Sequence, residues 1–304
     1  MLKIGIIGYS EFNGHPYSFS SIINGYNKEE YEKTEWLGIL NYLEKRDKNE
    51  IACLDAKVTH IWSQDIKKSQ EIARCSKIEN VLDNYLEMID LVDAVIIARD
   101  DYKVHKEIAK PFLENNIPVL IDKPLTLNFE ELEWFKRYYA NGLLMSCSGL
   151  RFCSELDEVR CNLSNFGKIK LIQASVINGW EKYGIHMLDA TLGIFDMEID
   201  SISTEIFNDF DIYTIEFVDG MVLKINTMGS DIFVFDFIIY GTKKIFKTEL
   251  KDNFTSFKRM LSLFIEQVIT KKPSLPFNQL ERSIYTLISG RESKRKKEKK
   301  YINK

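Results

Sequence analysis

The hydrophobic and polar positions of the chain follow one pattern up to about residue 150 and another beyond it. In the first part, short apolar runs typical of buried strands alternate with stretches of helical spacing. This alternation predicts an α/β domain of Rossmann type with a doubly wound parallel sheet. The predicted strands are 2–7, 58–62, 93–98, 117–121 and 143–147, and the predicted helices include 17–24, 80–89, 102–115 and 128–140.

The second part contains predicted strands that follow one another without intervening helices. Asp219-Gly220 is a typical hairpin turn between two of them. Such a run predicts an α+β domain with a mostly antiparallel, open sheet. We therefore expect a Rossmann domain at 1–150 and an α+β domain at 151–304. The predicted strands are 169–177, 199–206, 211–217, 221–227, 232–240 and 244–248, and the predicted helices are 154–163, 183–195, 254–270 and 277–289.

One stretch of the first part exceeds what a strand–helix–strand crossover requires. Residues 25–57 are polar and rich in lysine, with two short apolar pieces. Because most such connections are short, we interpret the stretch as an insertion that adds one or two helices over the site.

The composition excludes several classes of protein. The 304 residues are 45% hydrophobic, but no run reaches the roughly 18 to 20 apolar residues of a membrane span, and the first residues do not form a signal peptide, so we expect a cytoplasmic protein without membrane contact. The five cysteines are scattered and form no CxxC motif, which predicts neither a disulfide framework nor a metal site.

The net charge of −4 is unevenly distributed. Residues 291–304 hold eight Lys or Arg and two acids, which leaves −10 on residues 1–290. An acidic body does not favour nucleic acid, so we predict none as a partner and interpret the basic tail as a solvated terminal segment. The alternative is that the tail contacts phosphate.

The most informative stretch is Ile117–Leu125. Its apolar run predicts a buried strand that breaks into Asp122-Lys123-Pro124, at the strand end where open α/β sheets bind ligands. Pro124 fixes its own φ and disfavours helical geometry at Lys123, so the lysine has a defined position. The alternative is an ordinary loop with a solvated lysine.

A possible dinucleotide loop follows the first predicted strand. Gly8 comes directly after it, but the pattern GxGxxG would then require glycines where this chain has Ser10 and Asn13, and Gly14 comes one place late. A helix that starts near Pro16 can still present its amino end to a phosphate. A plain glycine turn is the alternative.

The residue at the end of the second predicted strand does not distinguish NAD from NADP. A ribose-binding acid is usual there, whereas this chain has Ser63, which does not repel a 2′-phosphate. Both NAD and NADP are therefore permitted, although we interpret the nearby Lys67 and Lys68 as the solvent face of the following helix.

A second candidate site contains His186 and Asp189. Residues three apart lie on one face of a helix, where a carboxylate can determine which imidazole nitrogen carries the proton, and such a pair suits proton removal from a hydroxyl. The alternative is that His186 packs under the sheet. We interpret His105, near the start of another predicted helix, as structural.

Taken together, these motifs resemble the Gfo/Idh/MocA oxidoreductases, the family of glucose-fructose oxidoreductase and inositol dehydrogenase. The resemblance extends over almost the whole chain. It is carried by Gly5-Ile6-Ile7-Gly8, Arg99–Ala109 with His105, Asp122-Lys123-Pro124 where the family has Glu-Lys-Pro, Arg151-Phe152, Gly184-Ile185-His186 with Asp189, and the helices within Phe264–Ser289.

The resemblance implies an NAD- or NADP-dependent oxidoreductase of a sugar, nucleotide sugar or cyclic polyol, in the form of a homo-oligomer through its C-terminal sheet. Lys123 would polarise or protonate the substrate oxygen and His186 would exchange the proton. Lys182 stands four residues before His186, where the family commonly has an aspartate. The implied cofactor-binding residues are Gly8, Ser10, Asn13, Gly14, Ser63, Ala98, Arg99, Asp122, Lys123 and Pro124, and the implied substrate-binding residues are Arg151, Tyr183 and Asp189.

The departures at Lys182, Ser10 and Ser63 leave a second hypothesis. In it the chain is a non-catalytic relative that binds a dinucleotide or a sugar for regulation.

Overall fold

The computed structural model describes residues 1–302, and its first sheet is the expected parallel one. Six parallel strands lie in the order β3-β2-β1-β4-β5-β6, so the chain starts in the middle and winds outward in both directions. Every residue of β4 is buried, as a parallel sheet covered on both faces requires. The strands are β1 (Leu2–Ile7), β2 (Ala56–Trp62), β3 (Asn80–Val81), β4 (Ala94–Ile97), β5 (Val119–Ile121) and β6 (Leu144–Met145).

Helices connect these strands. The α-helices are α1 (His15–Asn24), α2 (Lys28–Tyr31), α3 (Leu37–Glu44), α4 (Ile66–Cys75), α5 (His105–Glu114) and α6 (Phe129–Ala140). Residues 25–57 contain α2, α3 and a 3₁₀ turn at Lys48–Glu50, and they pack on the first helix: Tyr42 hydrogen-bonds Ser18, and Tyr31 hydrogen-bonds Ser21 at 2.6 Å.

The helix predicted over 80–89 is wrong in its first half. Asn80–Val81 is instead the edge strand β3, which pairs with His60 and Ile61, and a 3₁₀ helix begins only at Tyr85. Pairing with β2 satisfies backbone groups that a helix start would leave open at this sheet edge.

The second sheet has seven strands in the order β12-β11-β7-β10-β9-β8-β13. Its neighbouring strands are antiparallel except for the pair β7–β10, which is parallel, so the expected mostly antiparallel sheet is confirmed. The strands are β7 (Ile169–Val176), β8 (Ile199–Ile206), β9 (Asp211–Phe217), β10 (Val222–Thr227), β11 (Phe235–Gly241), β12 (Ile245–Glu249) and β13 (Lys300–Tyr301). The α-helices of this part are α7 (Asp157–Cys161), α8 (Ile185–Leu192), α9 (Asn253–Thr270) and α10 (Phe277–Lys296).

The chain forms two compact units that are not contiguous in sequence. The first comprises 1–126, 130–147 and 257–277, and the second comprises 127–129, 148–256 and 278–304. The structure thus differs from a single division at 150 because most of α9 packs with the first unit. There the buried Gln267 amide donates to the carbonyls of Gly142 (3.1 Å) and Leu144 (3.0 Å), which satisfies the open edge of β6.

The interpretation of the basic tail as a solvated segment is wrong for its described part. Helix α10 continues to Lys296, and β13 then adds an edge strand to β8. The basic side chains face acids of β9: Lys294 lies 2.7 Å from Asp211, and Lys299 lies 2.8 Å from Glu216. Ion pairs with β9 therefore hold this segment against the second sheet.

Two further expectations concern membrane helices and thiols. Within residues 1–302, no helix combines the length and the hydropathy that a membrane crossing requires. All five cysteines carry free thiols. The described residues also contain no group of three or more His, Cys, Asp or Glu side chains arranged for a metal ion.

Candidate functional site

Four neighbouring strands of the first sheet end at one edge, and each is followed by a predicted site residue. Gly8 follows β1, Ser63 follows β2, Ala98-Arg99 follows β4 and Asp122-Lys123 follows β5. Parallel strands place their carboxyl ends together, so the fold gathers residues that are more than 100 positions apart. This edge is where open α/β sheets bind their ligands.

The turn after β1 is compact enough to suit a dinucleotide phosphate. A Cβ at Gly8 would lie 2.8 Å from Cγ of Pro16 and 3.3 Å from the Ala98 carbonyl, so only glycine permits this approach of strand and helix. Helix α1 follows directly, with Pro16 in its first turn and no acidic side chain there. Its positive amino end therefore fits the diphosphate of NAD or NADP.

The two residues that replace glycines in this loop have side-chain roles. The Ser10 hydroxyl donates to Oδ1 of Asp100 (2.7 Å), and Asn13 donates through Nδ2 to Oδ2 of Asp122 (2.9 Å). We call Ser10, Asn13, His15, Asp100, Asp122 and Lys123 the lysine cluster; all of its members belong to the first unit.

Lys123 is the cation of this cluster, and it is buried. Only 4% of the residue is exposed, and its Nζ lies 3.7 Å from Oδ2 of Asp100. A buried ammonium needs a facing anion, because an isolated buried charge is costly. The alternative of a solvated loop lysine is therefore wrong.

Asp122 stays ionised because a histidine faces it. Nδ1 of His15 lies 2.6 Å from Oδ2 of Asp122. Burial by itself raises the pKa of the Asp122 carboxyl, but the charge and hydrogen bond of His15 and the charge of Lys123 outweigh burial and hold this pKa well below its usual range. Ring stacking on Phe19, at 4.9 Å between centroids, orients the His15 ring.

The end of β2 differs from the expectation for Ser63. Its hydroxyl is buried and donates to the carbonyl of Asp65 (2.7 Å), which builds the start of α4. The exposed neighbour Gln64 instead binds the backbone of Tyr9, accepting from Tyr9 N at 3.3 Å. Gln64 thereby ties this strand end to the glycine loop.

Arg99 and His105 hold the end of β4. The Arg99 guanidinium pairs with both carboxylate oxygens of Asp101. The ring nitrogens of His105 lie 2.7 Å and 3.0 Å from the carbonyls of Arg99 and Leu125, and the side chain is fully buried. The structural interpretation of His105 is confirmed.

A second cluster, in the second unit, surrounds His186. Nδ1 of His186, at the start of α8, lies 2.6 Å from the Ser148 hydroxyl, which also accepts from Leu150 N (3.2 Å). Ser148 therefore orients the ring and directs Nε2 to the opposite side. We call Ser148, Tyr183, His186, Asp189, Phe235 and Ser283 the histidine cluster.

Asp189 acts on His186 through Ser148, which differs from the expected direct contact. Its Oδ2 accepts from the backbone N of Ser148 (2.6 Å), and its Oδ1 accepts from the Ser283 hydroxyl (2.7 Å). Burial raises the pKa of the Asp189 carboxyl, and Arg151 with these hydrogen bonds offsets only part of that rise. A buried group with both oxygens bound is unsuited to the expected substrate contact.

The other predicted substrate residues have different environments. Arg151 is buried and donates to Gln279, so it supports the fold of the second unit. The Tyr183 ring lies edge-on to His186 at 5.4 Å, and Phe235 lies 6.2 Å from the same histidine. Lys182 is exposed, in the π-helical turn Trp180–Gly184 before α8.

Sequence reasoning missed five residues of these clusters, namely His15, Asp100, Ser148, Phe235 and Ser283. His15, Asp100 and Ser148 each lie within three residues of a predicted site residue, which is the one signal that could have drawn attention to them. Their partners lie between 38 and 107 positions away, and a pattern along the chain does not show such pairs.

Comparison with known families gives one match. Residues 2–141 match the model of the Gfo/Idh/MocA oxidoreductase family, described as an NAD-binding Rossmann fold. No curated protein sequence matches the chain.

Solved structures share the fold over the full length. A scyllo-inositol dehydrogenase from Lactobacillus casei has a TM-score of 0.79 at 14% identity, covering 100% of this chain and 99% of that one. A myo-inositol 2-dehydrogenase from Lactobacillus plantarum also has 0.79 at 14%, covering 99% of each chain. The Lactobacillus casei enzyme with bound NAD(H) and scyllo-inositol has 0.78 at 14%, covering 100% of both chains.

Proposed function

Since residues 2–141 match the NAD-binding Rossmann domain of the Gfo/Idh/MocA oxidoreductases, we propose that the chain is an NAD- or NADP-dependent dehydrogenase that acts on a CH–OH carbon of a cyclic polyol, a sugar or a nucleotide sugar. The observation that carries the proposal is the buried Lys123 at the ligand-binding edge of the sheet, facing Asp100. Similar folds in inositol dehydrogenases support the substrate class.

The proposed reaction moves one proton and one hydride. The nicotinamide supplies the hydride chemistry when it is bound. The Lys123 ammonium donates a hydrogen bond to the substrate oxygen and stabilises the negative charge that develops there. His186 accepts the hydroxyl proton at Nε2, because Ser148 holds Nδ1. Positioned acid–base groups of this kind contribute typically about 10²- to 10⁴-fold.

The cofactor is assigned to the edge after β1, β2, β4 and β5. Gly8, Ser10, Asn13 and Gly14 would surround the diphosphate at the start of α1. Ser63 shapes the β2 end from within, which leaves the exposed Gln64 as the side chain next to a ribose. Ala98, Arg99 and Pro124 frame the strand ends around Lys123, and Asp122 orients the loop through Asn13.

Residues of the histidine cluster contact the substrate. We propose that Tyr183, edge-on to His186, contacts the ring of the substrate, and that the exposed Lys182 contributes a positive charge. Arg151 and Asp189 act indirectly, by holding the backbone around Ser148 and α8.

Cofactor titration and a substrate panel test this function. We expect NAD⁺ or NADP⁺ to change the intrinsic fluorescence of the protein, and one cyclitol or sugar of a panel to give absorbance at 340 nm. Lys123→Ala and His186→Ala should each lower turnover by about 10²-fold or more with cofactor binding retained. Cofactor binding without turnover on any panel member would favour the non-catalytic, regulatory relative, and absence of cofactor binding would contradict both.

We also propose a homo-oligomer that forms through the second sheet. One face carries an apolar row of Ile245, Tyr240, Leu171 and Val222, which are neighbours across β12, β11, β7 and β10, and Ile245 is 56% exposed. A second copy of the chain, with the same row, would cover it. Leu171→Lys should convert an oligomer to a monomer in light scattering, whereas Lys110→Glu, at an exposed position of α5 in the first unit, should change the mass little.

The free thiols agree with a reducing, cytoplasmic location, which we propose for the protein. Fractionation of cells that express it from its own promoter tests this location.

A further inference from the structure

We propose that Asp100, held by Ser10, is the positioning residue for Lys123. The catalytic role of Lys123 rests on the proposed function. The side-chain contacts on which the inference depends are independent of that function.

Asp100 is the carboxylate that faces the lysine ammonium. Its Oδ2 lies 3.7 Å from Nζ, and Asp100 is 7% exposed. In a buried pair each charge stabilises the other, so movement of Lys123 away from Asp100 would lose the attraction between them. The pair therefore holds the ammonium at the end of β5.

Ser10 holds Asp100 by two hydrogen bonds. Its hydroxyl donates to Oδ1 at 2.7 Å and accepts from the backbone N of Asp100 at 3.1 Å. One hydroxyl thus binds both the main chain and the side chain of the same residue, which selects a single side-chain conformation. That conformation leaves Oδ2 for Lys123.

The neighbouring carboxylate is less suited to this role. Oδ1 of Asp122 accepts from the backbone N of Lys123 at 2.8 Å, and its Oδ2 is shared by Asn13 and His15. Both of its oxygens are thus engaged by other groups. Asp100 is the acid with an oxygen directed toward the ammonium.

The arrangement of Ser10, Asp100 and Lys123 depends on departures of this sequence from the family pattern. A glycine at position 10 would have no hydroxyl to hold Asp100, and Lys182 occupies the position where the resemblance predicts an aspartate. Ser10 and Asp100 together give Lys123 a carboxylate partner within the first unit. The loss of a loop glycine is therefore explained by the positioning of the lysine.

Competitive acetylation of the full-length protein tests the inference without a known substrate. Acetic anhydride at limiting concentration modifies neutral amines, and mass spectrometry compares Lys123 with the exposed Lys67 in the same sample. Asp100→Asn keeps the shape and the Ser10 contact but removes the charge, so Lys123 should react about tenfold faster, because its amine is no longer held in a buried ion pair away from the reagent. Ser10→Ala should give a smaller increase, and Ser10→Thr, which keeps the hydroxyl, should react like the unaltered protein.

Asp93→Asn is the matched control. Asp93 accepts from the backbone N of Lys3 at 2.8 Å, at the opposite end of the strands, so this variant should leave Lys123 reactivity unchanged. Equal labelling of Lys123 in Asp100→Asn and in the unaltered protein would overturn the proposal, and so would an equal increase in Asp93→Asn, which would indicate general loosening. If Asp100→Asn does not fold, the comparison of Lys123 acetylation in Ser10→Ala and Ser10→Thr tests the proposal by itself.

Kinetics separate this inference from the proposed function. With a substrate from the panel, Ser10→Ala should lower kcat by about tenfold or less while KM for the cofactor changes little, and Ser10→Thr should restore kcat. Faster acetylation in a protein that turns over no panel substrate would support the Asp100–Lys123 pair and contradict the dehydrogenase. Turnover of a panel substrate, with unchanged acetylation of Lys123 in Asp100→Asn, would support the dehydrogenase and contradict the Asp100–Lys123 pair.

Discussion

At the scale of residues, the pKa values of two buried aspartates shift in opposite directions. At Asp122 the interactions with His15 and Lys123 outweigh burial and hold the pKa of the carboxyl low. At Asp189 burial raises the pKa, and the charge of Arg151 with the hydrogen bonds from Ser148 and Ser283 offsets only part of the rise.

Asp122→Asn should therefore destabilise the protein in a pH-dependent way. A carboxyl whose pKa is lower when folded than when unfolded stabilises the fold at neutral pH, and this contribution is lost as pH falls below about 4, the pKa of an unfolded aspartate. Urea unfolding should show a smaller free energy for the variant at pH 7, and a difference from the unaltered protein that decreases progressively as pH falls below about 4. A difference that grows toward low pH would contradict the assigned direction.

Ser148 should matter for turnover more than for binding. Its hydroxyl orients His186 at 2.6 Å, and a hydrogen bond worth about 1 to 1.5 kcal/mol corresponds to roughly tenfold in rate. Ser148→Ala should lower kcat by about tenfold and leave cofactor binding unchanged, and Ser148→Thr should recover part of the loss. Stopped-flow or steady-state kinetics measure both; a loss in cofactor affinity with unchanged kcat would contradict this role.

At the scale of elements, the insertion supports the glycine loop by packing. A Cβ at Gly14 would lie 2.7 Å from the Trp36 ring and 2.8 Å from Ile39, both contributed by the insertion. Gly38, within α3, has no atom within 4 Å of such a Cβ. Gly14 therefore has no room for a side chain against the insertion, whereas Gly38 faces open space.

Alanine at these two glycines should have opposite effects. Gly14→Ala overpacks the contact and should lower the free energy of unfolding by about 1 to 3 kcal/mol. Gly38→Ala adds a helix former in open space and should raise it by up to about 1 kcal/mol. Urea unfolding of the pair measures both; equal effects would mean that the insertion does not pack on Gly14 in solution.

At the scale of the whole molecule, the carboxyl-terminal segment is part of the second sheet. Strand β13 covers the edge of β8, and its neighbouring lysines face acids of β9. An uncovered strand edge exposes unpaired backbone groups, which lowers stability and promotes association between chains.

Truncation after Lys296 should therefore lower Tm and increase aggregation on heating, by exposing the edge of β8. Truncation after Ile302 keeps β13 and is the control, with little change expected. Circular dichroism and light scattering during a temperature ramp measure the two effects. An unchanged Tm after the longer truncation would show that β13 adds no stability.

Much of the architecture was predictable because it follows from local pattern. Buried strands such as 94–97 and the alternating strands of the second sheet have the periodicity of their elements, and Asp122-Lys123-Pro124 marks a strand end in its own few residues. The short edge strands β3 and β13 were not predictable, since pairing with a neighbour, and not their own composition, makes them strands.

Periodicity and chain order are local properties, and they were sufficient to predict the two kinds of sheet, the strand that precedes Lys123 and the helix that carries His186. The partners of these residues became known only from the folded chain: Ser10 with Asp100, His15 with Asp122, and Ser148 between His186 and Asp189. Hydrogen bonds and ion pairs depend on distance in space, and parallel strands bring distant segments to one edge.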